Sequence, residues 1–423
     1  MKTKLFWRDF TLVVIGQIIS LFGNAILRFA LPLYLLRETG SSTLFGVVTA
    51  CSFAPMVILS MVGGVLADRV NKRDIMVGLD FSTAAVILLF YFLLGKLPPV
   101  PLFIVVLMLL YGISGTYQPA VQASVPLLVA KEKLMAGNAV INQVNTLSGL
   151  LGPVIGGVMF TLWGIDPILL LSAACFTFSA IMEIFIHIPH EKRPREAGVF
   201  RVVGMDLKES CQFVKTEKPI FFSVVFLVSI FNLVLSAVMI VGTPILITQV
   251  LGMSDTMYGF TQGALALGGL CGGVLTAMIS KKKKTPKSHA LLLICSIAVA
   301  VMGISLFLKM PAIVSYWVIT LMGFTVMGAS TLFMVQIYTL VQTQTPPQLV
   351  GKIMAALISI AMCGQPIGQA IYGALFDIFA AHTWVVLIGG AAAALLISLY
   401  SKKIFNQLEG RRQFSATSKN SST

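Results

Sequence analysis

The fold that this sequence predicts is an all-α membrane protein of twelve spans, arranged as two pseudo-symmetric six-helix bundles. Three observations predict it. The 423-residue chain is 57% apolar and only 11% charged, which leaves too little polar side chain to cover a soluble body of that size. Its apolar runs of about twenty residues are long enough to cross a bilayer. Twelve occur, at roughly 10–36, 43–67, 75–95, 100–128, 134–162, 167–188, 219–250, 256–280, 289–309, 312–342, 352–379 and 383–405. Charge is the third observation. With the N-terminus inside, 26 of the 30 Lys and Arg fall on cytoplasmic segments, and the outer loops hold only Arg37, Lys96 and Lys309. That bias predicts an even number of spans with both termini cytoplasmic. The net charge of +14 is thereby a topology signal that also suits anionic inner-leaflet lipid, and nucleic-acid binding is a poor explanation for it.

Span 1 is too long, and lacks the small-residue cleavage site, to be a removed signal peptide. Gln17, Asn24 and Arg28 are spaced by seven and four, which keeps them on one helical face within about 40°. Polar groups are expensive in lipid, so this face is expected to look into a cavity. The bland alternative for Arg28 is outward snorkelling.

Span 2 ends in the stretch Gly63-Gly64-Val65-Leu66-Ala67-Asp68-Arg69-Val70-Asn71-Lys72-Arg73. So short a charged turn makes spans 2 and 3 antiparallel neighbours. Gly63 and Gly64 allow a backbone to approach closely, and Asn71 sits where a tight turn can call for a left-handed residue. A degenerate copy, Gly272-Gly273-Val274-Leu275 followed by Lys281 to Lys284, lies 209 residues on, with Ala277 in the place of Asp68. A repeated half of this kind is the mark of a two-fold pseudo-symmetric transporter. The run Gly64-x-Leu66-Ala67-Asp68-Arg69-x-Asn71-Lys72-Arg73 resembles the loop signature of the major facilitator superfamily, with Asn71 in place of the usual glycine. The resemblance implies a conformational latch at Gly64, Asp68, Arg69 and Arg73. In it, Asp68 meets the N-terminus of span 11 in one state and loses it in the other. The ordinary reading is a cytoplasmic hairpin whose cations obey membrane topology.

Span 3 carries Asp80 and span 6 carries Glu183, each near the cytoplasmic side. Both are candidates for protonation, since removal from water disfavours a carboxylate's charged form; pairing with the inner basic loops is the structural alternative and the more expected one. Span 4 puts Tyr111, Ser114, Gln118 and Gln122 on one face, then passes Pro119 and Pro126, where kinks are expected. No arginine lies between Tyr111 and Lys131, unlike the drug exporters of the superfamily that couple protons through one.

In span 5, Asn138, Asn142, Asn145, Gly149, Gly152 and Gly156 recur at helical spacing and form one stripe. Gly149-x-x-Gly152-Pro153-x-x-Gly156-Gly157 resembles the fifth-helix motif of antiporters in this superfamily. Small residues at this spacing permit tight helix contact, and Pro153 bends the rod. Plain helix packing needs the same glycines.

Residues 189–218 read as a linker containing an amphipathic helix on the inner membrane surface. Asp206-Leu207-Lys208-Glu209, Phe213-Val214 and Pro219 resemble the macrolide-efflux-type branch of the superfamily. The second half repeats the plan. Span 7 presents Ser229, Asn232, Ser236 and Thr243, span 10 Gln336 and Tyr338, and span 11 Gln365, Gln369 and Tyr372. The expected organisation is an N-terminal bundle (1–188), the linker (189–218), a C-terminal bundle (219–405) and a disordered cytoplasmic tail (406–423).

The six cysteines are scattered, with no C-x-x-C pair, and the four histidines form no ligand cluster, so neither a disulfide framework nor a metal site is indicated. No cofactor and no nucleotide-binding loop is expected. A substrate cavity is expected at Gln17, Asn24, Arg28, Gln118, Asn142, Asn145, Asn232, Gln336 and Gln365. The resulting expectation is a monomeric secondary transporter in a bacterial cell membrane. It would export a small neutral, zwitterionic or anionic amphiphile, such as a macrolide-like drug, with a siderophore or lysolipid as alternatives, against a coupling proton or sodium ion. A membrane enzyme would need converging His, Asp or Ser side chains near one interface, and none converge in the pattern. A transport-inactive receptor on the same fold is the remaining class. Asp68→Asn is expected to cut flux in proteoliposomes while leaving membrane insertion intact; unaltered flux removes the latch role.

Overall fold

The computed structural model describes residues 8–130, 133–188, 215, 220–281, 287–345 and 349–420. Within them it is helical throughout, with no strand. Six helices form the first half: α1 (Arg8–Thr39), α2 (Ser42–Arg69), α3 (Lys72–Leu93), α4 (Pro99–Leu128), α5 (Leu134–Trp163) and α6 (Ile165–Ile184). The second half contains α7 (Ile220–Phe231), α8 (Asp255–Lys281), α9 (Ser288–Phe307), α10 (Ala312–Gln344), α11 (Val350–Met362), α12 (Gly364–Ile378) and α13 (Thr383–Asn420). Ten of the expected spans are long and apolar enough to cross a membrane. The other two correspond to α8 and to the broken pair α11 and α12.

Local chemistry explains the boundaries. The Ser41 hydroxyl caps α2 by accepting from the Leu44 amide at 3.2 Å. Asn71 adopts an extended conformation (φ −60°, ψ 122°) and caps α3, its Oδ1 accepting from the Arg73 amide at 3.1 Å. The left-handed role expected for Asn71 is therefore replaced by an N-cap, which serves the orphan amides of the following helix. Gly164 (φ 73°) makes the turn between α5 and α6. α4 is one continuous helix through Pro119 and Pro126, where kinks were expected. Pro366 lacks the amide that would bond the Met362 carbonyl, and the eleventh span is interrupted between Met362 and Gly364. Beyond α7 the seventh span runs as π-helix over Asn232–Ser236, Val238–Gly242 and Ile245–Val250. There the Asn232 side-chain amide donates to the Val228 carbonyl at 3.1 Å, competing with the regular ladder. The stretch 406–423, expected to be disordered, continues α13 through Asn420. The expected amphipathic helix of 189–218 lies outside the described residues, as do the side chains of Asp68, Arg69 and Lys352.

Two compact units emerge, Met1–Val203 with Pro244–Gly263, and Gly204–Thr243 with Ala264–Thr423. They depart from the expected boundaries because residues 244–263, at the turn joining the seventh span to α8, belong to the first unit. In that unit α2 packs on α4, α3 on α6 and α1 on both α5 and α6. Its core runs from Phe10 and Val13 through Met76, Val121 and Val125 to Ile186. In the second unit α9 packs on α13 and on α10, and α12 on the π-helical part of the seventh span.

The internal repeat is visible in how these helices meet. Gly63 lies against the Thr116 backbone and Gly115 against that of Met56, so α2 and α4 touch main chain to main chain. In the second unit Gly268 and Gly272 lie against the backbones of Phe324 and Gly328, which brings α8 onto α10 in the same way. Gly64, by contrast, has no neighbour among the described residues within 4 Å of where a Cβ would sit. A methyl group on Gly115 would stand 2.5 Å from the Met56 carbonyl oxygen and would force α2 and α4 apart. Gly115→Ala is expected to destabilise the protein by about 1–3 kcal/mol and to lower its melting temperature, whereas Gly64→Ala, inside α2, is expected not to lower it.

Candidate functional site

The first unit contains a buried polar chain that joins four helices. Gln17 of α1 donates from Nε2 to the Tyr117 hydroxyl of α4 at 2.8 Å. That hydroxyl donates in turn to Glu183 Oε1 of α6 at 2.7 Å. Asp80 of α3 lies in the same cluster, with Ser179 beside it; the Ser179 hydroxyl also donates to the Gly16 carbonyl at 3.2 Å. Gln17 and Glu183 are 0% exposed and Asp80 is 2% exposed. Among the described residues no cation is within ion-pair distance of either acid; the ion pairs are Arg37–Asp255 at 2.8 Å and Arg73–Asp74 at 2.9 Å. Asp80 and Glu183, for which pairing with the inner basic loops was expected, meet hydrogen-bond donors inside the bundle among the described residues; most cations of those loops lie outside the described residues. One oxygen of each of Asp80, Glu183 and Gln17 remains without a partner, so the cluster has acceptor capacity to spare for a proton or a water molecule.

Two adjoining recesses open beside this cluster. The first is lined by Ser20, Asn24, Asp80, Ser114, Tyr117 and Gln118, with Thr83 and Phe176. The second shares Asn24, Thr83 and Phe176 and adds Arg28, Tyr111 and four leucines. Half-buried Arg28 holds its guanidinium carbon 4.2 Å from the Tyr111 ring centroid, with Nη2 3.8 Å from Met56 Sδ. The polar stripe of span 1 therefore faces the interior of the unit along its length: Gln17 enters the acid cluster, Asn24 both recesses and Arg28 the second.

The glycines of span 5 do separate jobs. Gly152 and Gly156 pack on α1 at Ala25, Ile26 and Phe29, while Gly157 and the Pro153 carbonyl lie against Asp255 and Gly259 at the start of α8. Gly149 contacts nothing within 4 Å of a built Cβ. Around them the first unit is laced by the Arg37–Asp255 ion pair, the Thr256–Thr161 hydroxyl bond at 3.0 Å and the Phe29–Tyr258 stack at 4.8 Å.

The remaining candidates are scattered. Asn142 is exposed, and Asn145 bonds the Ile141 carbonyl of its own helix at 3.1 Å. In the second unit Asn232 lines an apolar pocket with Met334, Tyr338, Met354, Leu357 and Met362. Gln336 accepts from the Ser288 hydroxyl at 2.6 Å. Gln365 is half-buried, and the next amide along, Gln369, is 3% exposed with an unpartnered oxygen. The structure adds Tyr117, Ser20 and Ser179 to the site. A tyrosine next to Gln118 carries no signal in the sequence, because its partners are 100 and 66 residues away.

Tyr117→Phe removes the hydroxyl that both receives from Gln17 and donates to Glu183. It strands two buried polar groups, at a cost of about 1–3 kcal/mol each. A clear drop in thermal stability is expected, measured by melting of the purified protein; an unchanged melting temperature shows that the cluster does not hold the four helices together.

Comparison with known proteins gives one consistent answer. The family model of the Major Facilitator Superfamily matches residues 13–369. Macrolide efflux protein A of Streptococcus pyogenes is 24% identical over 395 residues, covering 88% of this chain and 91% of that one. Enterobactin exporter EntS of Escherichia coli O1:K1 / APEC is 26% identical over 371 residues, covering 86% and 85%. Among solved structures, a mutant of the nucleoside transporter NupG superposes with a TM-score of 0.75 at 12% identity, over 94% of this chain and all of that one. A bacterial homologue of the iron transporter ferroportin, in an inward-facing state, superposes with a TM-score of 0.68 at 16% identity, covering 94% and 98%. Both share the fold. This chain is a multi-pass membrane transporter, not an enzyme, and it belongs to the major facilitator superfamily.

Proposed function

We infer that the protein is a secondary active exporter of a small amphiphilic compound, coupled to proton entry and working by alternating access in the cell membrane with both termini cytoplasmic. Export is supported by similarity to a macrolide efflux protein and an enterobactin exporter, and by the antiporter-type glycine pattern of α5. A macrolide-like drug is the first cargo class and a siderophore the alternative, each supported by one of these relatives.

The observation that carries proton coupling is the Asp80–Tyr117–Glu183 cluster. Two carboxyls buried in one helix bundle, with no cation beside them among the described residues, hold charge only at high cost. That is the condition for a site which takes up a proton and gives it back. Asp80 lines a recess, which supplies an approach for the proton, and the Tyr117 hydroxyl links that recess to Glu183. The missing arginine of span 4 is consistent with coupling centred on acids of α3 and α6.

Uptake of an externally added macrolide or catecholate siderophore into proteoliposomes, with and without an imposed pH gradient (inside acid), tests this reading. The gradient is expected to drive accumulation. Asp80→Asn together with Glu183→Gln is expected to reduce gradient-driven accumulation by about tenfold or more while downhill exchange continues, since about 1.4 kcal/mol of lost coupling already corresponds to tenfold. Accumulation that ignores the gradient, or that survives both substitutions, overturns proton coupling at this cluster.

A further inference from the structure

We propose that the Arg28 recess of the first unit is a binding site for the acidic head, a carboxylate or phosphate, of an amphiphilic ligand. The proposal rests on the exporter reading for its physiological setting, and within it favours an acidic amphiphile over a macrolide, whose ionisable group is an amine.

Arg28 sits three turns along α1 from Gln17, in a narrow recess that it lines with Asn24, Thr83, Tyr111, Phe176 and four leucines. A guanidinium is a costly group to keep inside a span, and where one persists it is paired or serves a ligand. Among the described residues Arg28 makes no ion pair; its side-chain neighbours are the Tyr111 ring face and the Met56 sulfur. Neither satisfies five N–H donors, since a thioether is a weak acceptor and a ring face is a cation–π partner only. The stack on Tyr111 holds the guanidinium in place, so little rotamer freedom is left to lose on binding. A planar pair of oxygens matches the fork of donors. Asn24, one turn closer to Gln17, lines the same recess and adds an amide donor. The leucines and Phe176 suit an apolar body directly attached to the acidic head. The other occupant to be weighed is a cation held at Asp80 in the neighbouring recess. It fits less well, because Asp80 is 2% exposed and the accessible charge is that of Arg28.

The test uses the full-length protein in phosphatidylcholine nanodiscs and one naphthalene scaffold bearing a carboxylate, a carboxamide or an aminomethyl group. Equilibrium dialysis against empty nanodiscs corrects for partition into lipid. The carboxylate is expected to bind about tenfold or more tighter than the carboxamide, as for one charge-assisted hydrogen-bonded contact. Arg28→Gln is expected to bring the carboxylate down to the carboxamide's affinity without changing the latter, and Arg28→Lys to restore part of the preference. Equal binding of the first two compounds, preference for the amine, no binding of the carboxylate, or a preference that survives Arg28→Gln each overturns the proposal. If Arg28→Gln does not fold, the wild-type series decides together with Tyr111→Leu, which is expected to weaken the carboxylate selectively. Repeating the titration with phosphatidylglycerol in the disc separates the sources of the anion. Competition that disappears in Arg28→Gln assigns the site to a lipid phosphate, and indifference assigns it to a free solute. Flux in proteoliposomes keeps the two readings apart. Export of the carboxamide or amine without the carboxylate overturns the acidic head and leaves the exporter standing, whereas carboxylate binding without flux of any compound does the reverse.

Discussion

Lipid offers no hydrogen-bond partner, so each polar side chain on a spanning helix has to find one within the protein. In the first unit the buried amide and acids meet it in part through a chain of donors and acceptors from Gln17 through Tyr117 to Glu183, with Asp80 and Ser179 alongside. The arrangement ties α1, α3, α4 and α6 together and sets their rotation about their own axes, because a turned helix would present an acid to hydrocarbon. The recesses that hold Asn24, Gln118 and Arg28 follow from the same rotation.

Close backbone contact is the second constraint, and it acts on different pairs of helices. Side chains attract weakly in a medium as apolar as themselves, so helices gain by approaching until main chain meets main chain. Gly115 and Gly63 allow this between α2 and α4, Gly268 and Gly272 between α8 and α10, and Gly157 between α5 and the start of α8. The two units share that construction, yet their interiors diverge. The first carries acids, amides and a guanidinium. The pocket of the second, around Asn232, is lined mainly by methionine, leucine, isoleucine and valine. Methionine adapts its shape to irregular apolar bodies, a property suited to an amphiphile's hydrocarbon portion.

Helix content, the number of spans and the repeat at 209 residues could be read along the chain, because each depends on periodicity or composition that neighbouring residues carry, and the family followed from the resemblance of the run Gly64 to Arg73. The inward stripe of Gln17, Asn24 and Arg28 was legible for the same reason: seven and four are helical spacings. Asn71 shows the limit of that approach. An asparagine in a tight turn suits both a left-handed position and an N-cap, and only the path of α3 selects the cap. The eleventh span reads as one apolar run, and its interruption between α11 and α12, just before Pro366, is seen only in the structure.

By itself the sequence determined that this is a helical membrane protein with two related halves, since the cost of polar groups in lipid writes itself directly into hydropathy and charge; that it is a transporter followed from the resemblance of its loop and span 5 motifs. Only the tertiary structure decided what the buried acids meet. Asp80 and Glu183 are separated by more than a hundred positions, and whether each meets a basic loop, a hydroxyl or the other depends on helix rotation that no local pattern encodes. Tyr117 took its place between Gln17 and Glu183 for that reason, and residues 244–263 joined the first unit because the contacts of Asp255, Tyr258 and Gly259 lie with α1 and α5.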